Sequence, residues 1–346
     1  MNEFEFIERL RTQRRYNRHP SELSRGIGDD AAVIRQSSGR DMLFTSDLLV
    51  EDIDFRREST PPRLLGHKAL AVSLSDIAAM GGRPRWALLS VGVPEDVWNS
   101  EFVDEFYKGF FALANRYDVE LIGGDLSRTT EKIVVDSIVS GECASDQAIL
   151  RKGAQTGDQL FVTGSLGGSA AGLRLIERGF HVKQDNVHAE EVESIDQLVL
   201  SHLRPEPRVG WGLVLGEEKL ATAMIDISDG LSSDLHHLCK ESGVGALIES
   251  AQLPRNLQVA ALCGRRALDP LMLALHGGED FELLFTARPA DVARLPSRVD
   301  GVGISCIGEI TAETSKIQIV EKDRLWDLEP GGFQHFELQQ SSSHHA

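Results

Sequence analysis

Gly26-Ile27-Gly28-Asp29-Asp30-Ala31-Ala32-Val33-Ile34 sets two adjacent carboxylates between a glycine turn and a short apolar run. Glycine permits positive φ and a close backbone approach, and paired aspartates offer the hard oxygens that Mg2+ prefers. Taken alone, an ordinary turn before a strand explains the stretch. It does not stand alone. An acidic residue beside a small one recurs in Thr45-Ser46-Asp47, Leu74-Ser75-Asp76, Gly123-Gly124-Asp125, Asp226-Ile227-Ser228-Asp229-Gly230 and Gly277-Gly278-Glu279-Asp280. These stretches are candidate members of one site.

Working outward, residues 3–15 suit a short amphipathic helix, and Met42 to Val50 reads as a strand interrupted by Ser46 and Asp47. A carboxylate inside a buried strand is costly without a partner, which is either a cross-strand hydrogen bond or a metal. Pro61-Pro62 opens a helix that runs to about Met80, closed by Gly81-Gly82. Ala69, Val72, Ser73, Asp76 and Met80 share one face of it, a small-residue face from which Asp76 projects. Helix packing explains the alanines but not the aspartate.

Strands at Trp86 to Val93, Val119 to Ile122 (ending at Gly123-Gly124-Asp125) and Lys132 to Ser140 alternate with a helix over Ser100 to Tyr117. This pattern makes the first half an α/β or α+β unit. A polar, turn-forming boundary lies near 145–157. Beyond it come a strand over Gln159 to Thr163 and the loop Gly164-Ser165-Leu166-Gly167-Gly168-Ser169 before a helix. That loop lacks the lysine and the glycine register of nucleotide-binding motifs, so it reads as a strand-to-helix turn. A strand over Ala221 to Ile227 leads into Asp226 to Gly230 and a helix through Cys239; capping explains one of Asp226 and Asp229, not both. Later strands fall at 246–248, 281–286 and 303–310. The expected domains are 1–148 and 149–340, with 341–346 a disordered tail.

The chain has 346 residues, a formal charge of −17, 41% hydrophobic and 26% charged residues, and this length suggests two domains. The acidity argues against nucleic acid or an anionic membrane as partner, although bound divalent cations invert the local field and then hold phosphate. Cys143, Cys239, Cys263 and Cys306 have no C-x-x-C spacing and read as thiols in a reducing compartment. With no long apolar run, the expected location is the cytoplasm.

Gathered together, such carboxylates repel by about 4 kcal/mol per pair at 4 Å and an effective dielectric of 20. Several Mg2+ ions would resolve the conflict, completing their shells with water and phosphate oxygens. Such a site suits phosphoryl transfer, in which positioning and charge neutralisation do most of the catalysis.

The chain resembles the thiamine-monophosphate kinases. The resemblance runs from the Gly26 stretch through Lys68-Ala-Leu-Ala-Val-Ser-Leu-Ser-Asp-Ile-Ala-Ala-Met-Gly81, Gly123-Gly-Asp125 and Arg151-x-Gly-Ala-x-x-Gly-Asp158. It continues in His202-Leu-Arg-Pro-x-Pro-Arg208, Asp226-x-Ser-Asp-Gly-Leu231, Gly277-Gly-Glu-Asp-Phe-Glu-Leu283 and Gly332-Phe-Gln-His-Phe336. It implies a mixed α/β (α+β) two-domain fold shared with aminoimidazole ribonucleotide synthetase, dimeric through the N-terminal domain. The implied reaction converts ATP and thiamine monophosphate to ADP and thiamine diphosphate. Carried over by motif, Asp29, Asp30, Ser46, Asp47, Asp76, Asp125, Asp226 and Asp229 would hold Mg2+. Tyr107, Gly124, Asp125, Arg151 and Ser228 would meet ATP, and Glu279, Asp280 and Phe333 would lie at the thiamine end.

One departure bears on specificity. The family has His-Phe where this chain reads Asp54-Phe55, and Asp54 lacks the donor of an imidazole but can face a positive thiazolium. Ser73, where Asn is common, is a smaller change. Selenophosphate synthetases of the same fold need an N-terminal Cys or selenocysteine, whereas the first cysteine here is Cys143; the hydrogenase-maturation relatives need a C-terminal one. Aminoimidazole ribonucleotide synthetase lacks the Lys68–Gly81 and Gly277–Leu283 combination. A structural Ca2+ module would cluster its ligands in one loop, and these span some 200 residues.

Overall fold

The computed structural model describes residues 3–14, 22–181, 190–266, 268–322 and 324–333. The tail at 341–346 and the end of the Gly332 to Phe336 stretch therefore lie outside the described residues.

The first half builds one sheet from β1 (Leu23–Arg25), β2 (Ala32–Arg35), β3 (Arg40–Val50), β4 (Arg83–Val93), β5 (Glu120–Arg128) and β6 (Val134–Ala144), in the order β1-β2-β3-β6-β4-β5. Its helices are α1 (Glu3–Arg14), α2 (Pro62–Ala79), α3 (Glu95–Trp98) and α4 (Phe102–Arg116). The second half forms a sheet from β7 (Gln159–Thr163), β8 (Ala223–Asp226), β9 (Gly245–Glu249), β10 (Leu283–Ala287), β11 (Arg298–Val299), β12 (Val302–Thr311), β13 (Ile317–Glu321) and β14 (Arg324–Asp327). Its order is β14-β13-β9-β12-β7-β10-β8, with β11 on β12. Around it stand α5 (Gly168–Glu177), α6 (Glu190–Leu203), α7 (Val209–Glu217), α8 (Leu231–Ser242), α9 (Leu257–Arg266) and α10 (Pro270–His276). Both sheets mix parallel and antiparallel pairs, as in the α+β expectation.

The axis of the molecule is α2. Proline at its first position costs no hydrogen bond and presets the helical φ. The sequence suggests one small-residue face, yet every residue from Leu65 to Met80 except Asp76 is buried. The reason is that α2 packs against β3 and β6, α4, α7 and β8 together, so the helix is enclosed by both halves. Small residues make this possible: a Cβ on Gly66 would lie 1.8 Å from the Phe106 carbonyl, and one on Gly109 would lie 1.8 Å from that of Arg63. The α2 and α4 backbones touch through these two glycines.

The other face of the first sheet is bare. Alternation along the strands leaves Phe44, Leu48, Trp86 and Leu88 exposed there. The β5 expectation needs correction as well: the strand does not end at Gly123-Gly124-Asp125 but continues to Arg128, parallel to β4, with a register shift at Ala87/Leu88.

Candidate functional site

Asp30 lies two residues before β2, Asp76 is the one half-buried residue in the core of α2, and Asp226 ends β8. These three elements converge so that one oxygen from each carboxylate lies within 4.8 Å of the others. Hydroxyls hold the group in place. Ser75 Oγ donates to Asp226 at 2.7 Å, Thr45 Oγ1 donates to Asp76, and Ser73 Oγ donates to neighbouring Asp47 at 2.6 Å. Burial, reinforced by repulsion from Asp47 and Asp226, pushes the Asp76 carboxyl well above its ordinary range. Burial with Asp30 nearby raises Asp226 to about 7, and burial with Asp136 nearby raises Asp47 to about 6. The site therefore favours protons or cations over bare charge.

Two arginines offset part of this charge. Arg151 donates from Nη2 and Nε to Asp30 Oδ1 at 2.5 and 3.2 Å, and its backbone N–H reaches Asp29 Oδ1 at 2.7 Å. Arg25 pairs with the other oxygen of Asp29 and reaches Glu241 at 3.2 Å. One atom is left over: among the described residues, Asp30 Oδ2 is buried with no hydrogen-bond partner. A buried carboxylate oxygen without a donor, facing two more carboxylates, fits a hard divalent cation such as Mg2+.

The remaining expected residues divide by location. Ser46 and Asp125 stand on the outer face of the sheet. Ser46 Oγ donates to Asp136 at 3.0 Å, and Asp125 is in register with Ser90, itself opposite Asp136. Tyr107, Gly124 and Asp125 line an open groove along β5 with Leu121 and Gly123. Gly124 takes φ 153°, and a Cβ there would lie 1.9 Å from the Leu89 carbonyl. Asp54 folds back onto its own turn, accepting the Val50 N–H at 2.8 Å.

After β8, the Ser228 carbonyl accepts the Glu279 N–H at 2.7 Å, and the Asp229 carbonyl accepts that of Phe333 at 3.4 Å. The loop start is fixed by Asp234, whose Oδ2 accepts the N–H groups of Asp229 and Gly230. Neither Asp226 nor Asp229 caps α8; its N-cap is Gly230, without a side-chain bond. Asp280 accepts the N–H groups of Gly167 and Ser169 at 2.6 and 3.1 Å, so the start of α5 holds the protein's own carboxylate. Burial pushes that carboxyl up to about 7 against the pull of these amides. Glu279 pairs with Lys68 at 2.8 Å and His202 at 3.0 Å; burial is outweighed by these partners, and its carboxyl falls to about 2.

Sequence reasoning quoted Thr45, Lys68 and His202 within its motifs but gave them no role, and it passed over Asp234 and Arg25. Thr45 carried a signal, because it shares the inward phase of β3 with Asp47. Lys68 and His202 depend on Glu279, far along the chain, whereas Arg25 and Asp234 bind neighbours four or five residues away.

A buried carboxylate cluster at the meeting of two mixed α/β halves defines an AIR synthase related protein: the N-terminal domain of that family matches residues 28–143 and the C-terminal domain residues 155–320. Thiamine-monophosphate kinase of Bacillus subtilis (strain 168) is 37% identical over 97% of this chain and 100% of its own, and that of Escherichia coli (strain K12) is 36% identical over 96% and 98%. The chain belongs to the thiamine-monophosphate kinase family. Among solved structures, AaThiL complexed with AMPPCP and TMP superposes with a TM-score of 0.82 at 32% identity, covering 97% of each chain. No helix among the described residues is long and apolar enough to cross a membrane.

Proposed function

We propose that this chain transfers the γ-phosphoryl group of ATP to thiamine monophosphate, releasing ADP and thiamine diphosphate. The observation that carries the reading is the Asp30–Asp76–Asp226 cluster with its unpartnered Asp30 oxygen, in a chain similar over nearly its whole length to a kinase solved with AMPPCP and TMP.

In this reading Asp29, Asp30, Asp47, Asp76, Asp226 and Asp229 hold Mg2+, joined by Asp125 and Ser46 from the sheet's outer side. Bound Mg2+ supplies charge neutralisation for the phosphate oxygens. Arg151 is placed to exchange Asp30 for a phosphate oxygen, and Tyr107, Gly124 and Ser228 take the nucleotide. Glu279, Asp280 and Phe333 border the thiamine end, and Asp54, where the family has His, would face the thiazolium. An oxygen of the acceptor's phosphate attacks the γ-phosphorus in line, the bond to the β-phosphate oxygen breaks, and ADP leaves. No protein nucleophile takes part.

The working unit is a homodimer joined through the bare face of the first sheet, whose exposed Phe44, Leu48, Trp86 and Leu88 form an apolar strip that a second copy would cover. The domain boundary falls at 148/149, and the setting is the cytoplasm, consistent with four free cysteines.

The test is formation of ADP and thiamine diphosphate from ATP and thiamine monophosphate, with Mg2+ and again after chelation. Equal, metal-dependent amounts of both products are expected. ATP binding without thiamine diphosphate would assign the chain another phosphate acceptor, with Asp54 the first residue to examine. A phosphoenzyme trapped from γ-labelled ATP would overturn the direct transfer.

A further inference from the structure

Lys68 lies in the middle of α2 with 1% of its side chain exposed, and its ammonium sits 2.8 Å from Glu279 Oε1. None of its N–H groups makes an aligned hydrogen bond among the described residues, so the tie is one of charge. The second oxygen of Glu279 faces His202 Nδ1 at 3.0 Å, and the same nitrogen faces Ser169 Oγ at 3.1 Å. Both carboxylate oxygens are thus committed to side chains from two other elements. Glu279 is not free to hold a ligand without giving up a partner.

The backbone around Glu279 is unusual in the same place. Glu279 has φ 61° and Phe281 has φ 49°, left-handed values that bulky residues avoid unless their surroundings impose them. Two hydrogen bonds lace this loop to the segment after β8: Glu279 N–H to the Ser228 carbonyl and Phe281 N–H to that of Ile227. Seven residues beyond Lys68, on the same stripe of α2 and about 10 Å further along, Ser75 donates to Asp226. One helix therefore grips the second half at a carboxylate of the metal cluster and at Glu279, besides the hydrogen bond of His67 to the Pro205 carbonyl at 2.7 Å. A buried ion pair is a weak source of stability, because an apolar pair of similar volume often does as well. Its effect is better sought in geometry.

We propose that Lys68 is a positioning residue for the phosphate acceptor, clamping Glu279 so that residues 277–281 stand at a fixed distance from Asp76 and Asp226. The inference rests on the reading in which the Glu279 side of the site takes thiamine monophosphate. His202 completes the clamp from α6, and the left-handed backbone at Glu279 and Phe281 is held by it.

The test begins with Lys68→Met, which keeps length and volume but removes the charge. The KM for thiamine monophosphate is expected to rise about tenfold or more, with the KM for ATP changed less than about twofold. Amides of Glu279 and Phe281 exchange hydrogen faster than in the unaltered chain, while those of β10 do not. Lys68→Arg recovers part of the acceptor KM. The double variant Lys68→Met with Glu279→Gln removes both charges; it regains the thermal midpoint lost by the single variant but keeps the raised acceptor KM.

An acceptor KM that stays put in folded Lys68→Met, or returns together with the midpoint in the double variant, would reduce the pair to a structural one and overturn the proposal. The exchange experiment stands apart from the kinase reading. If the unaltered chain makes no thiamine diphosphate, that reading fails, and unchanged exchange at Glu279 and Phe281 still decides against the clamp.

Discussion

Two groups of carboxylates, one at Glu279 and Glu282 and the other at Asp30, Asp76 and Asp226, differ in the partners they are given. Glu279 and Glu282 are each matched by a built-in cation. Glu279 has Lys68, and Glu282 receives two 2.5 Å bonds from Arg208 and a third bond from Thr163 at 2.7 Å. Asp30, Asp76 and Asp226 crowd together with Arg151 as the cation bound to them among the described residues. Burial alone raises any carboxyl; the partners decide the outcome, about 2 for Glu279 against about 7 for Asp226. Matched carboxylates hold the architecture, and in the reading proposed above the crowded ones receive a cation from outside.

The largest expected effect tests the matched group. Glu282 is 3% exposed, so Arg208→Met strands a buried charge and is expected to cost about 3–5 kcal/mol in urea unfolding. Adding Glu282→Gln should recover most of it. A loss below about 1 kcal/mol would mean that Glu282 does not depend on its partner, and the contrast between the groups would collapse.

The crowded group should show the reverse, a cost that falls when charge is removed. The folded values of Asp47 and Asp226, about 6 and about 7, lie above the ordinary 3.8. The folded chain therefore binds more protons than the unfolded chain across that window, and stability falls as pH rises through it. Metal-free protein is expected to be less stable at pH 8 than at pH 5, by on the order of 4 kcal/mol. Mg2+ at a hundred times its Kd should restore about 2.7 kcal/mol at the higher pH. Asp76→Asn should stabilise the metal-free protein at pH 8, weaken the Mg2+ response and lower turnover by about a hundredfold or more. Thermal melts at both pH values check the first two; equal stability without metal would show that the crowding is already relieved.

The same contrast explains what the sequence could reveal. Asp30, Asp76 and Asp226 were legible because an aspartate at the edge of an apolar segment is locally anomalous, and no neighbour in sequence accounts for it. Lys68 was not, since a lysine in an alanine-rich helix reads as a side chain reaching solvent; its burial depends on Glu279 in the other half of the chain. His202, paired with the same distant Glu279, is silent for the same reason. The enclosure of α2 was missed because periodicity reports a helix with one buried face, and this helix has both halves around it. At β5, paired glycines looked like an end, yet parallel pairing with β4 carries the strand through them.

The smallest effect separates two adjacent hydroxyls. Strand alternation sends Thr45 and Asp47 toward α2 and Ser46 to the opposite face. Thr45 donates to Asp76, a member of the crowded group, whereas Ser46 donates to Asp136 outside it. Thr45→Val removes that donor at constant shape and is expected to weaken Mg2+ binding, measured by calorimetry, by about 1 kcal/mol. Ser46→Ala should change it by less than about half as much, because its partner lies beyond the sheet. Neither substitution touches a main-chain carbonyl, so any difference belongs to the hydroxyls. If Ser46→Ala were the more damaging of the two, metal held on the outer face by Ser46 and Asp125 would dominate the measured binding, and the division between matched and crowded carboxylates would have to be redrawn around Asp125 and Asp136.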